Sequence, residues 1–252
     1  MYNLQMRELK FLPTSADEWL IPKEALIAVS ILENANKKEF LEIGVLKGAW
    51  SLNLLKNVKS RGTGVDPYPN LTGMRTKTLQ RLKQYDYKLV SCTSEINPAD
   101  MFDLIHVDGL HTYDAIKADL ALAASKVTNE GVIAIDDIWH PSFPGIAAGF
   151  FPWLISSDFA AFLITGSKVY ICRKECHERW YRHFESQFEL FHDFPWERYY
   201  GEGKNLAYIS VSEIDSFPNL LSTERYAPSR MSKLLPDWPD QATIGAVYQS
   251  GE

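Results

Sequence analysis

Cysteine is scarce in this chain: Cys92, Cys172 and Cys176 are the only three among 252 residues. An odd, sparse set does not make a disulfide scaffold. Cys172, Cys176 and His177 are close in sequence, but they lack a fourth ligand and the spacing of a zinc hook. Chance clustering of a strand-end cysteine with helix residues explains them. Basic blocks are also missing, and Lys and Arg number 26 against 32 Asp and Glu, for a net charge of −6. Phosphate backbones select clustered Lys and Arg, so nucleic acid is not expected as the main partner. No apolar run approaches the roughly 20 residues of a membrane span. The longest candidate, Gly145–Ile155, is short and contains Pro152. The amino terminus has no basic region leading into an apolar one, so no signal peptide is expected. The expectation is a cytoplasmic protein with no membrane partner. Repeats and low-complexity tracts are absent, and the sequon Asn70-Leu71-Thr72 means little without secretion.

What is present is an alternation of short apolar runs and helical periods. Pro22 precedes a helix over Lys23–Asn34. Strands are predicted at Phe40–Ile43, Gly62–Val65, Lys88–Ser91, Phe102–Val107 and Val132–Ile135. Helices fall between them at Ala49–Val58, Met74–Tyr85 and Tyr113–Lys126. The last has Ile116, Leu120 and Ala123 along one face. Such alternation specifies an α/β fold, a doubly wound and mostly parallel sheet with helices on both sides. Phe162–Thr165 and Lys168–Cys172, parted by Gly166-Ser167, read as a hairpin. The hairpin brings the sheet to seven strands and makes one strand antiparallel, at or near the edge. Beyond about residue 174, Trp180, Tyr181, Phe184, Phe188 and Phe191 lie at helical spacing. They suit packing on the main domain or on a second subunit, and leave a homo-oligomer open. Three regions result: an arm and helix over 1–37, a ligand-binding domain over 38–173, and an aromatic-rich extension over 174–252, with a Pro-rich wrap or tail at Ser222–Asp240.

The chemistry concentrates in Phe102–Trp139. The fourth and fifth strands both end on acids: Asp108, then Asp136-Asp137. Adjacent parallel strands put their carboxyl ends side by side, where open α/β sheets bind ligands. The three carboxylates therefore converge, with His111 beside them. Like charges so placed repel unless a cation or proton lies between them. Hard oxygen ligands suit a divalent ion of the magnesium class, and a histidine at the rim suits a base. The plainer reading is that these acids cap the turns that follow them. It leaves unexplained why acids cluster at two neighbouring strand ends with a histidine. His106, inside an apolar strand, reads as a hydrogen-bonded core residue. His140 is close enough in sequence for a substrate role. Tyr68, Tyr113, Trp139 and Phe143 lie near ligand-facing ends and suit either sugar rings or core packing. Pro144-Gly145 would let a loop act as a lid. His177-Glu178 with His183 is not a zinc-protease pattern, because the spacing puts the histidines on different helix faces.

An earlier glycine turn is the second landmark: Glu42-Ile43-Gly44-Val45-Leu46-Lys47-Gly48 joins the first strand to a helix. Gly44 permits the tight turn and close approach of a ligand to the backbone. The G-x-x-x-G spacing departs from the dinucleotide fingerprint. Glu42 suits a ligand with an ammonium group better than one with phosphates. Asp66, ending the second strand, stands where nucleoside-binding folds offer a carboxylate to ribose hydroxyls.

Glu42-Ile43-Gly44 with Gly48, Gly64-Val65-Asp66, Phe102–Gly109 and Gly131–Asp137 together resemble the class I S-adenosylmethionine-dependent methyltransferases. Asp-Gly-x-His-x-Tyr at 108–113 followed by Asp-Asp at 136–137 resembles a narrower branch, the metal-dependent sugar O-methyltransferases of macrolide and aminocoumarin pathways. The similarity spans roughly residues 38–173. It implies a Rossmann-like methyltransferase fold and binding of S-adenosyl-L-methionine. Glu42, Gly44 and Gly48 would line the methionine end, Asp66 would hold the ribose, and Thr93 and Ser94 would lie near the adenine. Asp108, Asp136 and Asp137 would be ligands of Mg²⁺ or another divalent cation, with Asp108 also touching the cofactor site. His111 would be the general base, with Asp108 as the other candidate. The implied partner is a small-molecule hydroxyl acceptor, a sugar or glycoside. A catechol-like phenol, whose vicinal oxygens also chelate a metal, is the rival acceptor. A non-catalytic S-adenosylmethionine-binding protein and a metal-dependent hydrolase are the rivals from other classes.

Overall fold

A computed structural model describes residues 22–68, 71 and 73–186 and two further strands at 196–201 and 204–209. The expected arm at 1–21, Phe188, Phe191 and the Ser222–Asp240 wrap lie outside the described residues. Helix α1 (Pro22–Glu33) leads into β1 (Glu39–Ile43), α2 (Ala49–Asn57), β2 (Arg61–Val65), α3 (Met74–Leu82) and β3 (Tyr87–Val90). Next come β4 (Phe102–Val107), α4 (Tyr113–Lys126), β5 (Val127–Ile135), α5 (Pro144–Ser156), β6 (Phe159–Ile164), β7 (Val169–Arg173) and α6 (His177–Ser186). Strands β8 (Trp196–Gly201) and β9 (Lys204–Ile209) follow.

The sheet order is β3-β2-β1-β4-β5-β7-β6-β9-β8. Strands β1 to β5 pair in parallel, and β7 runs antiparallel between β5 and β6. The first seven strands of that order are the sheet the sequence predicts. The β8–β9 hairpin continues it past β6, with β9 parallel to β6. Alternate residues of each central strand enter opposite cores, as the two-residue strand period requires. Phe40, Leu104 and Val132 pack with α1, α2 and α6; Leu41, Ile105 and Ile133 pack with α4 and α5. Trp180, Tyr181 and Phe184 of α6 are fully buried, with Trp180 and Phe184 stacked on Phe162 of β6.

Two expectations are corrected. The fifth strand begins at Val127, not at Val132, so Asn129-Glu130-Gly131 lies within β5, with a register shift against β4 between Phe102 and Leu104. Asp103 supports that irregular stretch by accepting from the Thr128 hydroxyl and from the Lys37 and Glu39 amides. The stretch after Pro144 is a helix rather than a loop: Pro144 begins α5, where its missing N–H costs nothing. Among the described residues no helix is long and apolar enough to cross a membrane.

His183 on α6 meets Ser30 of α1 across 3.0 Å. Burial, with the Arg179 charge adding, pushes its pKa down to about 4. A depressed folded-state value means that the unfolded chain binds the proton more readily, so stability falls with acidification between about 6.5 and 4. His183→Gln keeps a polar partner for Ser30 but cannot titrate. Thermal melts at pH 7 and pH 4.5 should show a smaller acid loss in the variant; an identical loss would exclude His183 as the source.

Candidate active site

The glycine turn and the acid cluster touch through the backbone. Gly44 adopts φ +83°, and a Cβ there would lie 1.9 Å from the carbonyl oxygen of Asp108. The Asp108 amide donates to Ile43 O at 2.8 Å, so the ends of β1 and β4 meet. Gly48, at φ +69°, opens α2. The carboxylate of Asp66 braces this turn: Oδ2 accepts from the Val45 and Leu46 amides at 3.0 and 2.8 Å, and Oδ1 from Tyr68 at 2.7 Å. Asp66 thus shapes the loop around the expected cofactor position from within. Glu42 is buried and receives the Ser51 hydroxyl. Burial pushes its carboxyl well above the usual range, and Asp108 and Asp66 add to the effect. Thr93 and Ser94 form an exposed single turn just past β3, next to the strand that Asp66 ends.

At the ends of β4 and β5 the predicted acids and histidine come together. His111 Nε2 lies 3.3 Å from Asp108 Oδ1 and 3.7 Å from Asp137 Oδ2. One donor atom from each of these residues fits within 4.8 Å of the others, a spacing that a single metal ion could bridge. Asp137 holds a left-handed backbone at φ 52°, and its amide donates to Asp136 Oδ1. That conformation is tolerated by Asp, and the side chain reaches His111 at 3.7 Å. Burial, then repulsion from Asp136 and Asp108, pushes the Asp137 carboxyl up to about 6. The Asp108 hydrogen bond outweighs burial at His111 and raises its pKa.

Asp136 belongs to a different set. Its Oδ1 also accepts from Ser167 at 3.0 Å, and its Oδ2 is ion-paired with Lys168. Lys168 in turn reaches Glu24 of α1 at 3.1 Å. Burial raises the Asp136 carboxyl, but the Lys168 ammonium and the His106 imidazole hold it well below the usual range. His106 departs from expectation: neither ring nitrogen finds a hydrogen-bond partner, although it is buried. It stacks on Trp50 at 4.5 Å, with Glu42 3.9 Å from Nδ1 and Asp136 3.5 Å from Nε2. The strand register explains this, since His106 faces Glu42 across β1 and Ala134 across β5.

Sequence reasoning missed Ser51, Glu24 and Lys168. Ser51 carried a faint signal, one turn into the helix after the glycine loop. Glu24 and Lys168 carried none, because each pairs with residues more than a hundred positions or a strand away. Of the expected rim residues, His140 and His111 both pack on Phe143, while Trp139 lies against Phe151 and Tyr113 is half exposed. Tyr68 is buried beneath the turn instead. His177 and His183 bond to Ala161 O and Ser30, on separate elements.

A doubly wound sheet with this strand order, a glycine turn after β1 and an acid at each of three strand ends defines a class I methyltransferase fold. Residues 41–138 match a family described as a methyltransferase domain. No curated protein matches the chain. Among solved structures, it is similar to a candidate O-methyltransferase from Klebsiella pneumoniae, 12% identical over 63% of this chain and 83% of the other, TM-score 0.52. It is also similar to CalS11, a TDP-rhamnose 3′-O-methyltransferase of calicheamicin biosynthesis, 18% identical over 61% and 79%, TM-score 0.50. TomG of Streptomyces achromogenes, an O-methyltransferase of tomaymycin synthesis solved with S-adenosylmethionine, is 16% identical over 60% and 79%, TM-score 0.48.

Proposed function

We propose that this protein is an S-adenosylmethionine-dependent O-methyltransferase that methylates a hydroxyl of a sugar or glycosylated small molecule, assisted by a divalent cation. The observation that carries the reading is the convergence of Asp108, His111 and Asp137 against the Gly44 turn. Methyl transfer from a sulfonium is an in-line displacement, and the donor is already activated. The protein's tasks are to align the acceptor oxygen and to take its proton. Gly44 leaves room for the donor against the backbone, with Glu42 and the Asp66-braced loop around it. The donor set fits a divalent ion of the magnesium class: the two carboxylates converge with His111, and burial, together with the neighbouring negative charge of Asp136 and Asp108, pushes Asp137 up to about 6. Asp108 and Asp137 would hold the cation, which when bound would lower the pKa of a coordinated hydroxyl. His111, oriented by Asp108, accepts the proton. The surrounding Phe143, Trp139 and Tyr113 offer aromatic faces to a ring.

Calorimetric titration of S-adenosylmethionine and S-adenosylhomocysteine, with Mg²⁺ and with EDTA, tests the reading. Micromolar binding is expected; no binding under either condition would overturn it. Profiling of glycoside and catechol acceptors then separates the sugar reading from the phenol one.

A further inference from the structure

The metal-dependent reading above meets an obstacle at Asp136, the middle acid of the three. Lys168 is buried, with only 6% of its side chain exposed, and its ammonium contacts both Asp136 and Glu24. Glu24 is held in turn: Oε1 accepts from Thr165 Oγ1 at 2.6 Å and lies 2.7 Å from Ser167 Oγ, whose one proton is shared between Glu24 and Asp136 Oδ1. Both Asp136 oxygens are therefore engaged, Oδ1 by the Asp137 amide and Ser167, Oδ2 by Lys168. A divalent ion on Asp136 Oδ2 would share that oxygen with an ammonium, and two cations at contact distance in a buried site repel strongly. Asp108 and Asp137 have no Lys or Arg ion pair among the described residues; each pairs with His111, and although Asp108 also has an oxygen within 4.8 Å of Asp136 and His106, the Asp136 side of that group is the one occupied by the ammonium.

We propose that Lys168, anchored by Glu24, is the resident cation of Asp136: it withdraws this carboxylate from the metal set and uses it to position Asp137. The second part follows from the Asp137 amide, which donates to the Asp136 oxygen opposite the ammonium and so locks the left-handed turn that presents Asp137 to His111 and Asp108. Lys168 is thus a positioning residue, and the divalent ion is held by Asp108 and Asp137 without Asp136. This inference rests on the metal-assisted reading, and the experiment below separates the two.

Mn²⁺ alone is titrated into the full chain by calorimetry, for the wild type, Asp108→Asn, Asp136→Asn, Asp137→Asn and the charge-balanced pair Glu24→Gln with Lys168→Met. Asparagine at 136 keeps the oxygen that accepts from Asp137 and Ser167. Loss of a true ligand should cost at least the roughly 10–100-fold that outer partners of a metal cost. Asp108→Asn and Asp137→Asn should lose that much, Asp136→Asn should stay within a small factor of wild type, and the pair should bind more tightly because Asp136 is released. If Asp136→Asn loses as much as Asp108→Asn, the proposal is overturned. If the wild type binds no Mn²⁺, the metal-assisted reading fails, and the pair alone decides: newly gained binding supports Lys168 as the resident cation, and none overturns it. S-adenosylmethionine titration of the same preparations shows which variants are folded and reports on the methyltransferase reading separately.

Discussion

Gly44→Ala should be the most damaging glycine-to-alanine change among the described residues. Two costs coincide there. The left-handed backbone at φ +83° costs a residue with a Cβ roughly 1–3 kcal/mol. The new methyl would also sit 1.9 Å from the Asp108 carbonyl, backbone that cannot rotate away, and overpacking of this kind costs roughly another 1–3 kcal/mol. A loss of about 3 kcal/mol or more corresponds to a fall of roughly 6–12 °C in Tm for a chain of this size. Relief of the clash must part the ends of β1 and β4, so S-adenosylmethionine binding should be lost as well. Gly73 is the control: it has φ +77° but nothing within 4 Å of its Cβ position. Gly73→Ala carries only the conformational part, the same roughly 1–3 kcal/mol. Equal melting temperatures for the two variants would show that the approach of Gly44 to Asp108 carries no energy. Unchanged cofactor affinity in Gly44→Ala would separate the turn from the cofactor.

His111→Ala should lower kcat by roughly a hundred- to ten-thousandfold, the range of a positioned general base, and leave the affinity for S-adenosylmethionine unchanged. The ring is half-buried against Phe143 and touches both Asp108 and Asp137, so its removal could act through the metal instead of through the proton. The two routes differ at saturating Mg²⁺. An effect that runs through cation affinity is recovered by excess metal, whereas a missing base is not. Recovery of most of the activity in excess Mg²⁺ would move the base role to Asp108.

Much of this molecule is legible in its sequence because the information is local. Helix α4 falls on Tyr113–Lys126 as its periodicity predicts, and Ile116, Leu120 and Ala123 face the core. The apolar runs are strands because both faces of a central parallel sheet are covered. Even the meeting of Asp108, Asp137 and His111 follows from a general rule, that neighbouring parallel strands end together. Position in a strand could not reveal what lies across from it. His106 read as an ordinary core residue, yet β4 is inserted between β1 and β5, and the register sets its imidazole between Glu42 and Asp136 without a hydrogen bond to either.

The charge state of the acid cluster is the clearest case of a property that the chain order conceals. Three acids within thirty positions advertise a cation site. The ammonium that neutralises one of them comes from the β6–β7 turn, and the carboxylate that anchors it from helix α1, 144 positions before Lys168 and 112 before Asp136 in the chain. Periodicity, glycine placement and strand-end chemistry act over a few residues, so the α/β alternation, the glycine turn and the residues at the strand ends are written in the chain order. Pair interactions between buried charges depend on which strands become neighbours, so it is the folded arrangement that pairs Asp136 with Lys168 and sets Asp108 and Asp137 against His111.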